Sequence, residues 1–157
     1  MTKPPKFIEA TKAPTRTGSR YPKPYDQPCQ NRTKYLLGEA FGLDQFGVNL
    51  VTLEPGAWSS QRHWHENEDE FIYVLSGEIT LTDDSGDHTL NHGMCAGFKA
   101  DNGNGHCLKN LTDKPVQYLE MGTRRENEQV WYSDIDMKVV QQNQKGIYSR
   151  KDGSPFL

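Results

Sequence analysis

Apolar and polar positions alternate over residues 46–54, FGVNLVTLE, and Pro55-Gly56 closes this first clear strand with a turn signal. Strands are read in the same way at 58–65, 71–75, 78–82, 87–91, 94–98, 106–111 and 116–122. Gly77, Ser85-Gly86, Asn91-His92-Gly93, the DNGNG run and Thr112-Asp113-Lys114-Pro115 supply the turns between them. Short strands at this spacing predict an all-β antiparallel sandwich or barrel, and no window sustains an amphipathic helical period. Residues 1–34 differ in texture. They hold six of the nine prolines and only scattered apolar residues such as Phe7, Ile8, Tyr21 and Tyr25, so they read as an extended arm. Tyr21, Pro22, Pro24 and Tyr25 suit a segment lying along a folded surface, its own or a partner subunit's. VWYSDIDM and the tail IYSRKDGSPF are expected to fold back on the barrel or a neighbour.

Strand parity then sorts the chemistry. His63 and His65 are two residues apart, so on a strand both imidazoles share a face and one metal ion could sit between them. Glu66, Glu68, Asp69 and Glu70 follow, and one of these carboxylates could return to the same ion. With the histidines inward, Ser59 and Gln61 also face in, while Arg62 and Trp64 face out. With Glu70 inward, Ile72 and Val74 line the interior, and Phe71, Tyr73 and Leu75 form a second apolar face. That face needs cover, which predicts a homodimer, with the arm possible at the interface.

Composition narrows the classes. At 157 residues, one domain with a real core is the expectation. A net charge of −3 with no basic cluster argues against nucleic acid. No run approaches the roughly eighteen apolar residues of a membrane helix, and MTKPPKFIEATKAP lacks the apolar core of a signal peptide, so a cytoplasmic protein is expected. Cys29, Cys95 and Cys107 have no C-x-x-C spacing and read as buried or half-buried thiols.

These residues carry a family resemblance: the chain resembles a cupin. Gly56, His63, His65, Glu70 and Gly77 match the first cupin motif, G-x5-H-x-H-x3,4-E-x6-G, with one extra residue before His63. Gly93, His106 and Asn110 match the second, G-x5-P-x-G-x2-H-x3-N, but Lys99 stands at the proline, Asp101 at the second glycine, and the loop before His106 is two residues longer. The resemblance implies an antiparallel double-stranded β-helix, or jelly-roll barrel, over 46–122. An extended arm at 1–45 precedes it, and a segment at 123–157 packs on the barrel or a second subunit. It selects Glu70 among the four carboxylates and adds His106, giving the ligand set His63, His65, Glu70 and His106. SRYPKPYDQP and the longer runs around both motifs are also similar to small bacterial cupins, some labelled sugar-phosphate isomerase by analogy.

Three histidines and one carboxylate suit a divalent transition metal, Fe, Mn, Ni, Zn or Cu, better than Ca or Mg. On an octahedral ion two positions stay open for a hydroxy-carbonyl substrate, with the metal as Lewis acid. The expected function is a metalloenzyme transforming a small sugar-like or hydroxy-carbonyl compound, isomerase-type. The alternatives are a metal-dependent dioxygenase or lyase and a non-catalytic binding or sensing cupin. Lys99, Gln61 and Tyr118 are the candidate catalytic or pocket residues. His88 and His92 read as solvated, Glu66, Glu68 and Asp69 as a solvated acidic turn, and Trp58, Trp131 and Tyr132 as packing residues.

Overall fold

The computed structural model describes residues 4–142 and 145–156; the ends of the expected arm and tail, 1–3 and 157, and the pair 143–144 lie outside the described residues. The strands are β1 (Thr15–Thr17), β2 (Arg32–Tyr35), β3 (Phe46–Leu53), β4 (His63–His65), β5 (Glu70–Ser76), β6 (Glu78–Asp83) and β7 (Gly86–Asn91). After them come β8 (Cys95–Phe98), β9 (Cys107–Lys109), β10 (Val116–Thr123), β11 (Gln129–Tyr132), β12 (Lys138–Gln142) and β13 (Lys145–Ser149). A short helix, α1 (Leu37–Phe41), links β2 to β3.

Among the described residues every strand pairing is antiparallel, and the strands form a jelly-roll of two layers. One is a six-stranded sheet in the order β1-β2-β3-β10-β5-β8. The other combines β13-β12-β11-β4 with β7-β6-β9, which a backbone bridge between His63 and His106 joins. Val51, Ile72, Val74, Val116 and Tyr118 of the first layer pack on Ile79, Leu81, Leu90 and Leu108 of the second, giving the main core. These are the alternate, inward positions of their strands, which is why the period of two was readable. On the opposite face of β5, Phe71 and Tyr73 remain 40% and 37% exposed.

The strand expected at 58–65 narrows to β4. Ser59 explains part of this: its hydroxyl accepts from the Leu108 amide at 2.9 Å, so a side chain replaces a ladder bond. Both flanks of the barrel join its sheets. β1 and β2 extend the six-stranded sheet beyond β3, with Arg32 opposite Leu53 and Lys34 opposite Val51. β11 pairs with β4, placing Val130 opposite His65 and Tyr132 opposite His63. Tyr21 and Tyr25 of the arm pack with Tyr148 and Phe156 on a second core of Val130, Tyr132, Met137 and Val139, so the arm lies against this same chain. Gln61 ties the arm down, its amide donating to the Tyr25 carbonyl at 2.8 Å.

Gly77 shows why the first motif ends in glycine. Its φ is 80°, and a Cβ there would lie 2.8 Å from Val116 Cγ1, so both the left-handed turn and the close approach exclude a side chain.

Candidate metal centre

β4 presents His63 and His65 on one face, the bridge to His106 brings in the third imidazole, and β5 supplies Glu70 from the other sheet. His63 and His106 exchange backbone hydrogen bonds, N to O at 3.1 and 2.9 Å, which fixes the two strands that carry them. The Nε2 atoms of His106, His65 and His63 converge on Glu70 Oε2 at 2.8, 3.3 and 3.7 Å. The site therefore bridges the two layers of the barrel.

His63 is held from behind by a hydrogen bond, His65 faces two carboxylates, and His106 is held by stacking. His63 Nδ1 lies 2.9 Å from the Gln61 carbonyl, which only accepts, so the proton is on Nδ1 and the Nε2 lone pair faces Glu70. His65 Nδ1 lies 3.3 Å from Glu128 Oε1 and 3.9 Å from Glu68 Oε2. The His106 ring stacks on Phe98 with centroids 3.6 Å apart and planes within 5°. Glu128 is 1% exposed and accepts the Glu66 and Asn67 amides, each at 3.0 Å, so one carboxylate shapes the turn after β4 and orients His65.

Charge completes the arrangement. Burial pushes His63 down to about 4, leaving a neutral imidazole at neutral pH. Burial works against charge on His65 too, but Glu70 and Glu128 overcome it and raise the ring to about 10. Burial likewise opposes ionisation of Glu70, yet His65 and the three imidazole contacts hold its carboxyl well below the usual range.

A transition metal fits these residues. Glu70 Oε2 is buried and has no hydrogen-bond partner among the described residues, although three imidazole nitrogens surround it. Donors bound about 2.1 Å from one ion at right angles lie about 3 Å apart, within the observed spread of contacts. The ligating atoms of His63, Glu70 and His106 all lie within 4.8 Å of one another, and His65 links this group through Glu70 to a second one with Glu68 and Glu128.

The other expected site residues are placed differently. Lys99 follows the outward parity of Cys95 and Gly97; its side chain is 82% exposed and its ammonium lies 3.6 Å from Asp69, so the fold does not bring it to the histidines. Gln61 contributes its carbonyl to His63, while its amide is used on the arm. Tyr118 sits on the inner wall but fully buried, with a hydroxyl that has no partner among the described residues and is pushed well above its ordinary range by burial. Tyr118→Phe should therefore raise unfolding stability by roughly 1 kcal/mol, read from urea titration; a loss of stability would show that the hydroxyl is satisfied.

The acidic turn is anchored rather than merely solvated: Glu66 accepts from Trp131 Nε1 at 2.6 Å, Glu68 from the Arg125 amide at 2.7 Å, and Asp69 from the Ala100 amide at 2.8 Å. Cys95 is exposed, not buried, because its strand faces it outward, whereas burial drives the Cys107 thiol up to about 12 and leaves it unreactive. Asn110 is a loop clamp, donating to the Leu53 and Lys114 carbonyls at 2.9 and 2.8 Å.

Asp101, which replaces the second motif's glycine, keeps a left-handed backbone at φ 58°, and its amide donates to the His65 carbonyl at 2.8 Å. Aspartate tolerates this region better than most residues. Asp101→Val should cost about 1–2 kcal/mol of stability and Asp101→Gly little or none, both measurable by denaturant unfolding.

Residues 49–122 match the family model described as Cupin domain. The chain is 45% identical to a protein of Silicibacter pomeroyi described as a sugar phosphate isomerase from a cupin superfamily, over 96% of each chain and with a TM-score of 0.92. The chain belongs to the cupin superfamily. A second solved neighbour, from Acidithiobacillus ferrooxidans and described as a candidate sugar phosphate isomerase, is 28% identical over 80% of each chain, with a TM-score of 0.72. Oxalate decarboxylase of Bacillus subtilis is 33% identical over 78 residues, and this cupin spans only 19% of that enzyme's length. Among the described residues no helix is long and apolar enough to cross a membrane.

Proposed function

We propose that this cupin is a metal-dependent enzyme that isomerises a small sugar-like hydroxy-carbonyl compound, with His63, His65, Glu70 and His106 as ligands of one divalent transition metal. The observation that carries the reading is the buried, unpartnered Glu70 Oε2 with three imidazole Nε2 atoms turned toward it. When bound, such an ion supplies Lewis acidity toward a carbonyl oxygen. The Gln61 carbonyl fixes the tautomer of His63, and Glu128 stands 3.3 Å from His65 Nδ1, so these two rings are positioned before the ion enters. The similarity to the Silicibacter pomeroyi protein over nearly the whole chain supports the isomerase class.

The test is turnover of an aldose or ketose phosphate panel by metal-reconstituted protein, with oxygen uptake and carbon dioxide release followed in parallel. Product beyond the molar amount of protein, lost in His63→Ala and without gas exchange, is expected. Carbon dioxide release would instead favour a decarboxylase, the reading that the shorter oxalate decarboxylase match supports. Turnover that survives removal of both metal and His63 would contradict the metalloenzyme reading.

A further inference from the structure

The register of the large sheet puts unexpected charge inside the barrel. Directly opposed residues of antiparallel strands share a face. Val51, Tyr118 and Val74 lie in the core and oppose one another across β3, β10 and β5, so Lys34, opposite Val51, also faces inward. One step along, Asn49 opposes Glu120, and Glu120 opposes Ile72. The next step pairs Gly47 with Gly122, and Gly122 with Glu70. Glu120 is thus the diagonal neighbour of Glu70, about 7–8 Å away along the wall.

These groups form a cluster with capacity to spare. Glu120 Oε1 accepts from Lys34 Nζ at 2.5 Å and from Asn49 Nδ2 at 2.9 Å. Among the described residues Lys34 donates nowhere else, and Glu120 Oε2 has no partner, while their side chains keep 17% and 21% of their area open. An ammonium with free donors beside a carboxylate with a free acceptor matches adjacent hydroxyls, each of which donates and accepts. A pair serving only as a brace could be replaced by apolar side chains at no cost to stability.

At the glycine step the wall is open, and a cation fills it. A Cβ on Gly47 would lie 2.7 Å from Arg124 Nη2 and 3.0 Å from its Cζ, so the guanidinium lies across the inner face where Gly47 has no side chain. On the other side, a Cβ on Gly122 would meet Glu70 Cγ at 3.5 Å. Gly47 therefore makes room for the Arg124 guanidinium, at the end of the sheet where Glu70 opposes Gly122.

We infer that Lys34, Asn49 and Glu120 bind ligand hydroxyls and that Arg124, seated over Gly47, binds an anionic end, so that the ligand is a polyhydroxylated compound carrying one terminal phosphate or carboxylate. This deepens the sugar-like substrate reading and rests on it for the end of the ligand that meets the ligand cluster. A planar guanidinium accommodates either anion in two-point contact.

The test is calorimetric binding of ribose 5-phosphate, ribonate, ribose and inorganic phosphate to protein of matched metal content. Lys34→Met/Glu120→Leu, whose apolar pair preserves packing, and Asn49→Ala should each weaken ribose 5-phosphate binding at least about tenfold. Gly47→Ala, which displaces only the flexible end of Arg124, should weaken ribose 5-phosphate or ribonate by a similar factor and leave ribose unchanged. The stronger of those two anionic probes identifies the anion. Unchanged affinity in the wall variants, phosphate binding as tightly as ribose 5-phosphate, or no binding by any probe would overturn the inference. Binding that follows this pattern without turnover would instead count against the isomerase alone, and turnover indifferent to all three variants would count against the wall alone.

Discussion

Glu70→Gln will lower transition-metal affinity by more than about 100-fold, beyond the range seen when only a supporting partner of a ligand is lost. Glu70 brings the anionic charge on which three imidazoles converge, and glutamine keeps its size while removing that charge. The same carboxylate helps raise His65 to about 10, so in metal-free protein at pH 7 His65 holds a proton that an entering ion must displace. Metal binding should accordingly release close to one proton, and affinity should rise about tenfold per pH unit below the His65 value. Titration calorimetry in two buffers of different ionisation heat measures this release, which should shrink in Glu70→Gln.

The effect of pH on the metal-free fold has a definite sign. His65 is raised above its ordinary 6.5, so its contribution is complete below that value and is lost as pH rises through about 10. Glu70 is depressed below 4.5, so its contribution is present above that value and is lost as pH falls through the lowered one. The two contributions coincide between pH 4.5 and 6.5.

Glu128→Ala is expected to be the most destabilising single change at the centre, costing about 3–5 kcal/mol, as for breaking a buried charged pair. It would strip the Asn67 amide of its acceptor at 3.0 Å and the Glu66 amide of one of its two, the other being the Gln129 carbonyl, and would remove the carboxylate 3.3 Å from His65 Nδ1. Glu128→Gln retains one carbonyl acceptor and should cost less stability while still weakening metal binding by about 10–100-fold. Thermal unfolding and metal titration on the same samples separate the two effects: a stability loss with unchanged metal affinity would show that Glu128 shapes the turn without orienting His65.

What could be read along the chain was whatever depended on neighbours in sequence. The strands from β5 to β10 follow from alternation and from turn residues at their ends, and the pairing of His63 with His65 from parity, while Glu70 and His106 joined the candidate set through the resemblance to the cupin motifs. What escaped depends on pairing between distant segments. Glu128 carries no motif and reaches His65 only because β11 lies beside β4. Lys34 sits at the edge of the proline-rich arm and Glu120 within VQYLEMG, neither in a motif; the β2–β3–β10 register brings the two together on the inner face. Lys99 is the converse case. Its neighbours in sequence suggested a place at the rim, but the outward parity of Cys95 and Gly97 carries it away from the histidines.

The most direct test of the central claim is elemental analysis of protein reconstituted in turn with iron, manganese, nickel, zinc and copper and freed of excess ion, with His63→Ala/His106→Ala treated in parallel. The four-ligand centre predicts about one ion per chain for at least one metal in the wild type and none in the double variant. Equal retention by both proteins, or none in the wild type with every metal, would contradict it.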